Sequence, residues 1–159
     1  MPTASQRQAM IASIRQLPAE VEAAVRGLSD GQLDTSEGEG EWTIRQVVHH
    51  LADAHMNGFI RTKLILTEAR PTLKPYDQDA WAKLPDTTEA PVEDSLSILR
   101  GLHERWSDLL ESVQDRDWQR SAFHPEVGEV TLEDILATFA GHGDNHVEQI
   151  LRIRASQGW

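Results

Sequence analysis

Two histidines four residues apart, His142 and His146, interrupt an apolar helical stripe in the segment TLEDILATFAGHGDNHVEQILRIRA. At about 100° per residue, Ile135, Phe139, His142, His146, Ile150 and Ile153 share one helix face. Imidazoles on a packed face lose their hydration, so something there must compensate them. Neutral imidazoles at i and i+4 converge on one point, which is how helices present ligands to a divalent metal. Satisfied core histidines are the alternative, and a third ligand from another helix would separate the two readings.

His49 and His50 are adjacent in IRQVVHHLADAH, so only one of them can face a bundle interior. With His50 at the origin of a helical wheel, Val47, Val48, Leu51, Ala54, Gly58, Ile65 and Leu66 span roughly 40–160°. His50 borders that apolar arc. His49 falls near 260° and reads as a surface or interface residue. Asp53, Asn57 and Arg61 lie within about 60° of His50 and form a polar stripe beside the apolar one. Asp53 could orient a ligand imidazole through its second nitrogen, and Arg61 could receive an anionic group. A solvated flank is the plainer reading of the same stripe. His55, about 140° round from His50, reads as a core or subunit-contact residue. His103 in LHERW reads as structural. His124, beside Glu126 in AFHPEVGE, reads as a turn residue, with proton shuttling as the alternative.

Four helical segments must position these groups. The first covers Ser5 to Leu28, with a kink or restart at Pro18. The second opens at the capping box Thr43-x-x-Gln46 and runs to about Ala69. The third begins at Pro91 and continues to about Val113. The fourth follows Thr131 as N-cap and ends near Ala155. GQLDTSEGEGE reads as a polar loop, and the long 71–90 connection holds a short helix around Asp77–Leu84. SAFHPEVGEV reads as a small hairpin. The fold class is all-α, a four-helix bundle with long crossover loops, in a single domain spanning residues 1–159.

Composition narrows the function. The chain has 15 basic against 26 acidic residues, a net charge of −11, and no basic cluster, which opposes nucleic acid or an anionic membrane as partner. Cysteine is absent, so disulfides, thiolate metal sites and a cysteine nucleophile are excluded. Any metal must rest on His, Asp or Glu. The five tryptophans read as core or pocket wall. With no apolar run of membrane-spanning length and no signal-like N-terminal stretch, a soluble cytoplasmic protein is expected.

The blocks WTIRQVVHHLADAHMNGFIRTKLILTE, PTLKPYDQDAWAKLPD, LHERW, HPE and GHGDNH, in this order, resemble the YfiT-like branch of the DinB superfamily. The likeness extends from about Val21 to Ile150. It implies an up-up-down-down-type four-helix bundle and a divalent metal on three histidines, one from the second helix and two from the last. By position these are His50, His142 and His146, the three the wheel already singles out. Relatives often read GxHH at the end of the last block, where Asp144 and Asn145 intervene here, so a different substrate preference is expected. The resemblance also implies frequent dimers. Related bundle proteins are S-transferases using bacillithiol, mycothiol or similar thiols, although YfiT-like proteins are commonly labelled metal-dependent hydrolases.

Three neutral histidines leave a metal with open positions, as in catalytic sites. Hydrolysis would use the lowered pKa of metal-bound water and wants a carboxylate base. The zincin pattern HExxH supplies that base, but here His142 is followed by Gly143, so Asp53 or Glu126 would serve as the catalytic carboxylate. Thiol transfer needs no placed base once the metal holds a thiolate. Asn57, Arg61 and Trp81 would then bind substrate, with Lys63 assisting Arg61 and the Trp81 loop closing over the site. The expected function is therefore transfer of a small-molecule thiol to an electrophilic substrate by a homodimer. Each chain would hold one divalent metal, zinc or nickel ahead of manganese or iron. Hydrolysis and a non-catalytic metal-binding stress protein are the alternatives.

Overall fold

The elements of the computed structural model, which describes residues 2–159, follow in chain order. They are α1 (Ala4–Val25), α2 (Asp30–Leu33), α3 (Ile44–Thr67), α4 (Gln78–Trp81), α5 (Pro85–Thr88), α6 (Val92–Glu111), β1 (Ser121–His124), β2 (Gly128–Thr131) and α7 (Leu132–Gln157). Three of the four long helices start at capping boxes, Thr3 with Gln6, Thr43 with Gln46 and Thr131 with Asp134, each satisfying two otherwise orphaned backbone amides. α6 instead begins after Pro91, whose fixed φ suits a helix start. β1 and β2 form the expected hairpin, with Ser121 paired to Thr131 and His124 to Gly128.

The bundle is α1, α3, α6 and α7, and cross-helix contacts fix its directions. α1 runs parallel to α7, because Arg7 pairs with Glu133, Ser13 with Asp144, and Arg154 with the Ala24 carbonyl. α3 runs parallel to α6, because His49 meets Ser95, His55 stacks on His103, and Thr62 accepts from the Trp106 indole. α1 and α6 are antiparallel, since Arg15 meets Asp108 whereas Glu22 meets Arg100. The order is therefore up-down-down-up, a correction to the up-up-down-down arrangement that the resemblance implies. The 24 residues of α3 make a rod about 36 Å long. The connection over residues 68–91 is long enough to return the chain to the starting end for a parallel α6.

Other local expectations differ as well. α1 passes through Pro18 without a restart. Pro18 is buried there beside Leu17, and burial against α6 and α7 outweighs the cost of about 3 kcal/mol that a mid-helix proline carries. The polar loop after α1 contains α2, held by buried Arg45, whose guanidinium donates to Asp30, Asp34 and the Ala90 carbonyl. α5 is a further turn in the crossover, opened by Pro85.

Two apolar clusters fill the bundle. One gathers Ile11, Ile14, Trp106, Leu136 and Phe139, and the other Leu17, Val21, Val48, Leu51, Leu99 and Ile150. Along α7 the first cluster ends at Ala140 and the second resumes at Ile150, so His142 and His146 fall between them. Two glycines permit the helices to close at this level. A Cβ on Gly58 would lie 2.5 Å from Trp106 and 2.8 Å from Phe139, and one on Gly143 would lie 2.6 Å from Leu17. Among the described residues, no helix is long and apolar enough to cross a membrane.

Candidate metal centre and its cleft

α3 and α7 run antiparallel, so His50 meets both His142 and His146 across their interface. One ring nitrogen from each of the three lies within 4.8 Å of the others. His50 Nε2 and His142 Nε2 are 3.1 Å apart. Two nitrogens bound about 2.0–2.1 Å from a shared ion sit roughly 3 Å from each other, so the spacing suits a common metal. Burial and the neighbouring imidazoles push His50 down to about 3, and burial and His146 push His142 down to about 4. Burial also lowers His146. The rings are thus neutral and carry free lone pairs at ordinary pH, which metal ligation requires. The donor set fits a divalent ion.

Two of the outer ring nitrogens have partners. His146 Nδ1 donates to Gln149 Oε1 at 2.9 Å, one turn along the same helix, which leaves its Nε2 bare for the site. His142 Nδ1 lies 3.2 Å from His55 Nε2. Trp42 covers His50 with ring centroids 4.7 Å apart. Asp53, expected to orient a ligand ring, has no side-chain hydrogen bond to one among the described residues. Its carboxyl is instead raised to about 6 by burial and by the charge of Asp86.

A cleft of about 700 Å³ opens beside His142. Arg61, Glu126 and His124 line it together with Tyr76, Phe139 and the Pro75–Gln78 segment. Arg61 donates to the Lys74 carbonyl, and burial lowers its pKa against the opposing pull of Tyr76 and Glu126. His124 is buried, and its Nδ1 accepts from the Glu126 amide, so the neutral ring carries its proton on Nε2. Asn57 and Trp81 line a neighbouring cleft of about 440 Å³ that shares Pro75, Tyr76 and Asp77 with the first. Trp81 packs against Tyr76 with ring centroids 4.5 Å apart and the planes tilted by 40°. The centre also borders a hollow of about 280 Å³ lined by Trp42, Gln78, Asp79, His146 and Gln149.

Several sequence expectations change here. His49 is 4% exposed rather than at the surface. Its Nε2 donates to the Ala90 carbonyl and its Nδ1 accepts from Ser95, because α6 and the end of the crossover cover the face the wheel left bare. Lys63 does not join Arg61; two residues on, it points to another side of α3 and lies over the Phe59 ring. Asp144 faces α1 and accepts from Ser13 at 3.0 Å, so it does not enter the cleft. Gly143 faces Leu17 and could carry no base toward a metal, so its identity records helix packing rather than chemistry. His103 donates from Nδ1 to the Ile14 carbonyl. The wheel missed Gln149 and Tyr76. The first stands at i+3 from a candidate ligand histidine, and the second is the chain's single tyrosine in its longest connection.

Comparison with known proteins identifies the family. The family model of the DinB superfamily matches residues 6–150. The chain belongs to the DinB superfamily. Within it, the chain is YfiT-like: it is 42% identical over 155 residues to a Bacillus subtilis protein named "Putative metal-dependent hydrolase YfiT", covering 97% of this chain and 87% of that one. A Geobacillus kaustophilus protein, also named "Putative metal-dependent hydrolase", is 48% identical over 158 residues, 98% of this chain and 88% of the other. The solved structure of Bacillus subtilis YfiT superposes with a TM-score of 0.97 at 40% identity, covering 100% of this chain and 91% of that one. It is described as a probable metal-dependent hydrolase with an unusual four-helix bundle topology.

Proposed function

We propose that this DinB-superfamily chain is a divalent-metal enzyme that transfers a low-molecular-weight thiol, of the bacillithiol kind, to an electrophilic small molecule. The observation that carries the reading is an all-imidazole donor set whose His142 lines a cleft of about 700 Å³ that also holds a half-buried cation, Arg61. That volume exceeds what an attacking water needs and suits a thiol together with its acceptor. A divalent ion on three neutral ligands keeps its full charge and, when bound, supplies the electrostatic preference for an anionic sulfur.

The chain's own groups account for the rest. Arg61 receives a carboxylate of the thiol, in a half-buried position where the pair is less screened than in bulk water. Tyr76 and Phe139 flank the acceptor and limit access of water. Asp53, with its carboxyl raised to about 6, takes the thiol proton near neutral pH. The sulfur forms its bond to the electrophilic carbon as the leaving group departs with the bonding pair. The Nε2–H of His124 donates a hydrogen bond to that departing anion.

Hydrolysis is the second reading. It is favoured by the same raised carboxyl of Asp53, which suits a general base, and by the name that the Bacillus and Geobacillus relatives carry. The two separate in one assay of zinc-loaded protein. A thiol panel with a chloro-aromatic acceptor should show thiol consumption above the His142→Ala background. Cleavage of esters or amides without thiol loss would favour hydrolysis, and turnover of neither would favour a metal-binding protein without catalysis.

A further inference from the structure

Two buried polar atoms among the described residues lack hydrogen-bond partners, His55 Nδ1 and His103 Nε2, and they belong to stacked rings. Neither ring is a candidate ligand, yet both are fully buried beside the metal centre. His103 on α6 donates from Nδ1 to the carbonyl of Ile14 on α1. Its ring lies 4.8 Å from that of His55 on α3, at 19° to it. His55 Nε2 then lies 3.2 Å from Nδ1 of His142 on α7. One column of imidazoles therefore links all four bundle helices and ends on the outer nitrogen of a ligand ring.

Hydrogen-bond logic sets the direction of its last link. His142 turns Nε2 toward His50, so Nε2 must carry the lone pair if it binds a metal. Its proton must then sit on Nδ1, where His55 Nε2 is the acceptor in range. An accepting Nε2 places the proton of neutral His55 on Nδ1, the atom that has no partner. An unpartnered buried donor is destabilising, and packing alone does not require one. A leucine of similar size would fill the space among Trp106, Phe139 and His103 without it.

We propose that His55 is a positioning residue for the metal centre: as a neutral acceptor it holds His142 in the Nδ1–H tautomer, with His103 bracing its ring. The proposal rests on His50, His142 and His146 holding a metal, but not on which reaction follows. Outer partners of ligand histidines typically carry about 10–100-fold in metal affinity.

The test uses zinc as the probe, with dissociation constants from competition against a chromophoric chelator. His55→Leu, which keeps the bulk and removes the acceptor, should weaken zinc binding by about 10–100-fold. His55→Gln, whose amide oxygen can still accept from His142, should stay within about threefold of the wild type. Nitrogen-15 spectra of zinc-loaded wild-type protein should show His142 protonated at Nδ1 and zinc-bound at Nε2. Unchanged zinc affinity in His55→Leu would overturn the proposal, as would a His55→Gln variant equally weak, or His142 bound through Nδ1. Should His55→Leu fail to fold, the wild-type spectra and the His55→Gln affinity still decide. Wild-type protein that takes up no zinc would overturn the metal reading itself, an outcome distinct from loss of the His55 effect alone.

Discussion

At the scale of single residues, Asp53 shows how a half-buried carboxyl can cost stability. An acid whose pKa rises on folding binds its proton more tightly in the native state, so stability falls as pH rises from about 4 through 6. Above that window the metal-free protein carries the whole penalty. Asp53→Asn should therefore stabilise the metal-free protein at pH 7.5 by about 1 kcal/mol, discounted for the solvent that reaches this half-buried group. The gain should vanish near pH 4, and urea titrations at the two pH values would read it. In the zinc-loaded enzyme, the same change should remove the rise in rate through about pH 6 and lower kcat/KM by about 100-fold or more. A variant no more stable at pH 7.5, with an unaltered pH profile, would remove Asp53 from the site. The choice of His50 over His49 was legible in the sequence because it depends on helical phase. The role of His55 was not, since its partner His142 lies 87 residues away and only the fold brings them together.

At the scale of elements, the helix starts were legible because caps are local chemistry, and so was the hairpin before α7. The fate of Pro18 and the burial of His49 were not, because both depend on which helix lies against which face. Gly58 is the sharpest element-level constraint, with aromatic rings of α6 and α7 occupying the space a Cβ would need. Gly58→Ala should cost about 1–3 kcal/mol despite its better helix propensity, because the rings it would meet are packed and cannot yield cheaply. Gly143→Ala should cost less, since it meets only the flexible side chain of Leu17. Thermal melts of the two variants check the order; the reverse order would mean that α7 shifts more easily against α3 than against α1.

At the scale of the whole molecule, the up-down-down-up order explains why the site lies where it does. Antiparallel α3 and α7 bring the middle of both to the same level, and the 68–91 crossover lays Tyr76 and Trp81 beside the cleft. The directions could not be read from helix lengths and loops, which are compatible with several topologies. A homodimer is expected in solution and should show twice the monomer mass by light scattering. Everything proposed about chemistry depends on the three histidines holding one ion. The direct measurement is elemental analysis of wild-type and His142→Ala protein after loading with excess zinc and gel filtration. The wild type should retain about one zinc per chain, and the variant, with two imidazoles left, should lose nearly all of it. Equal metal content in the two proteins would contradict the three-histidine centre.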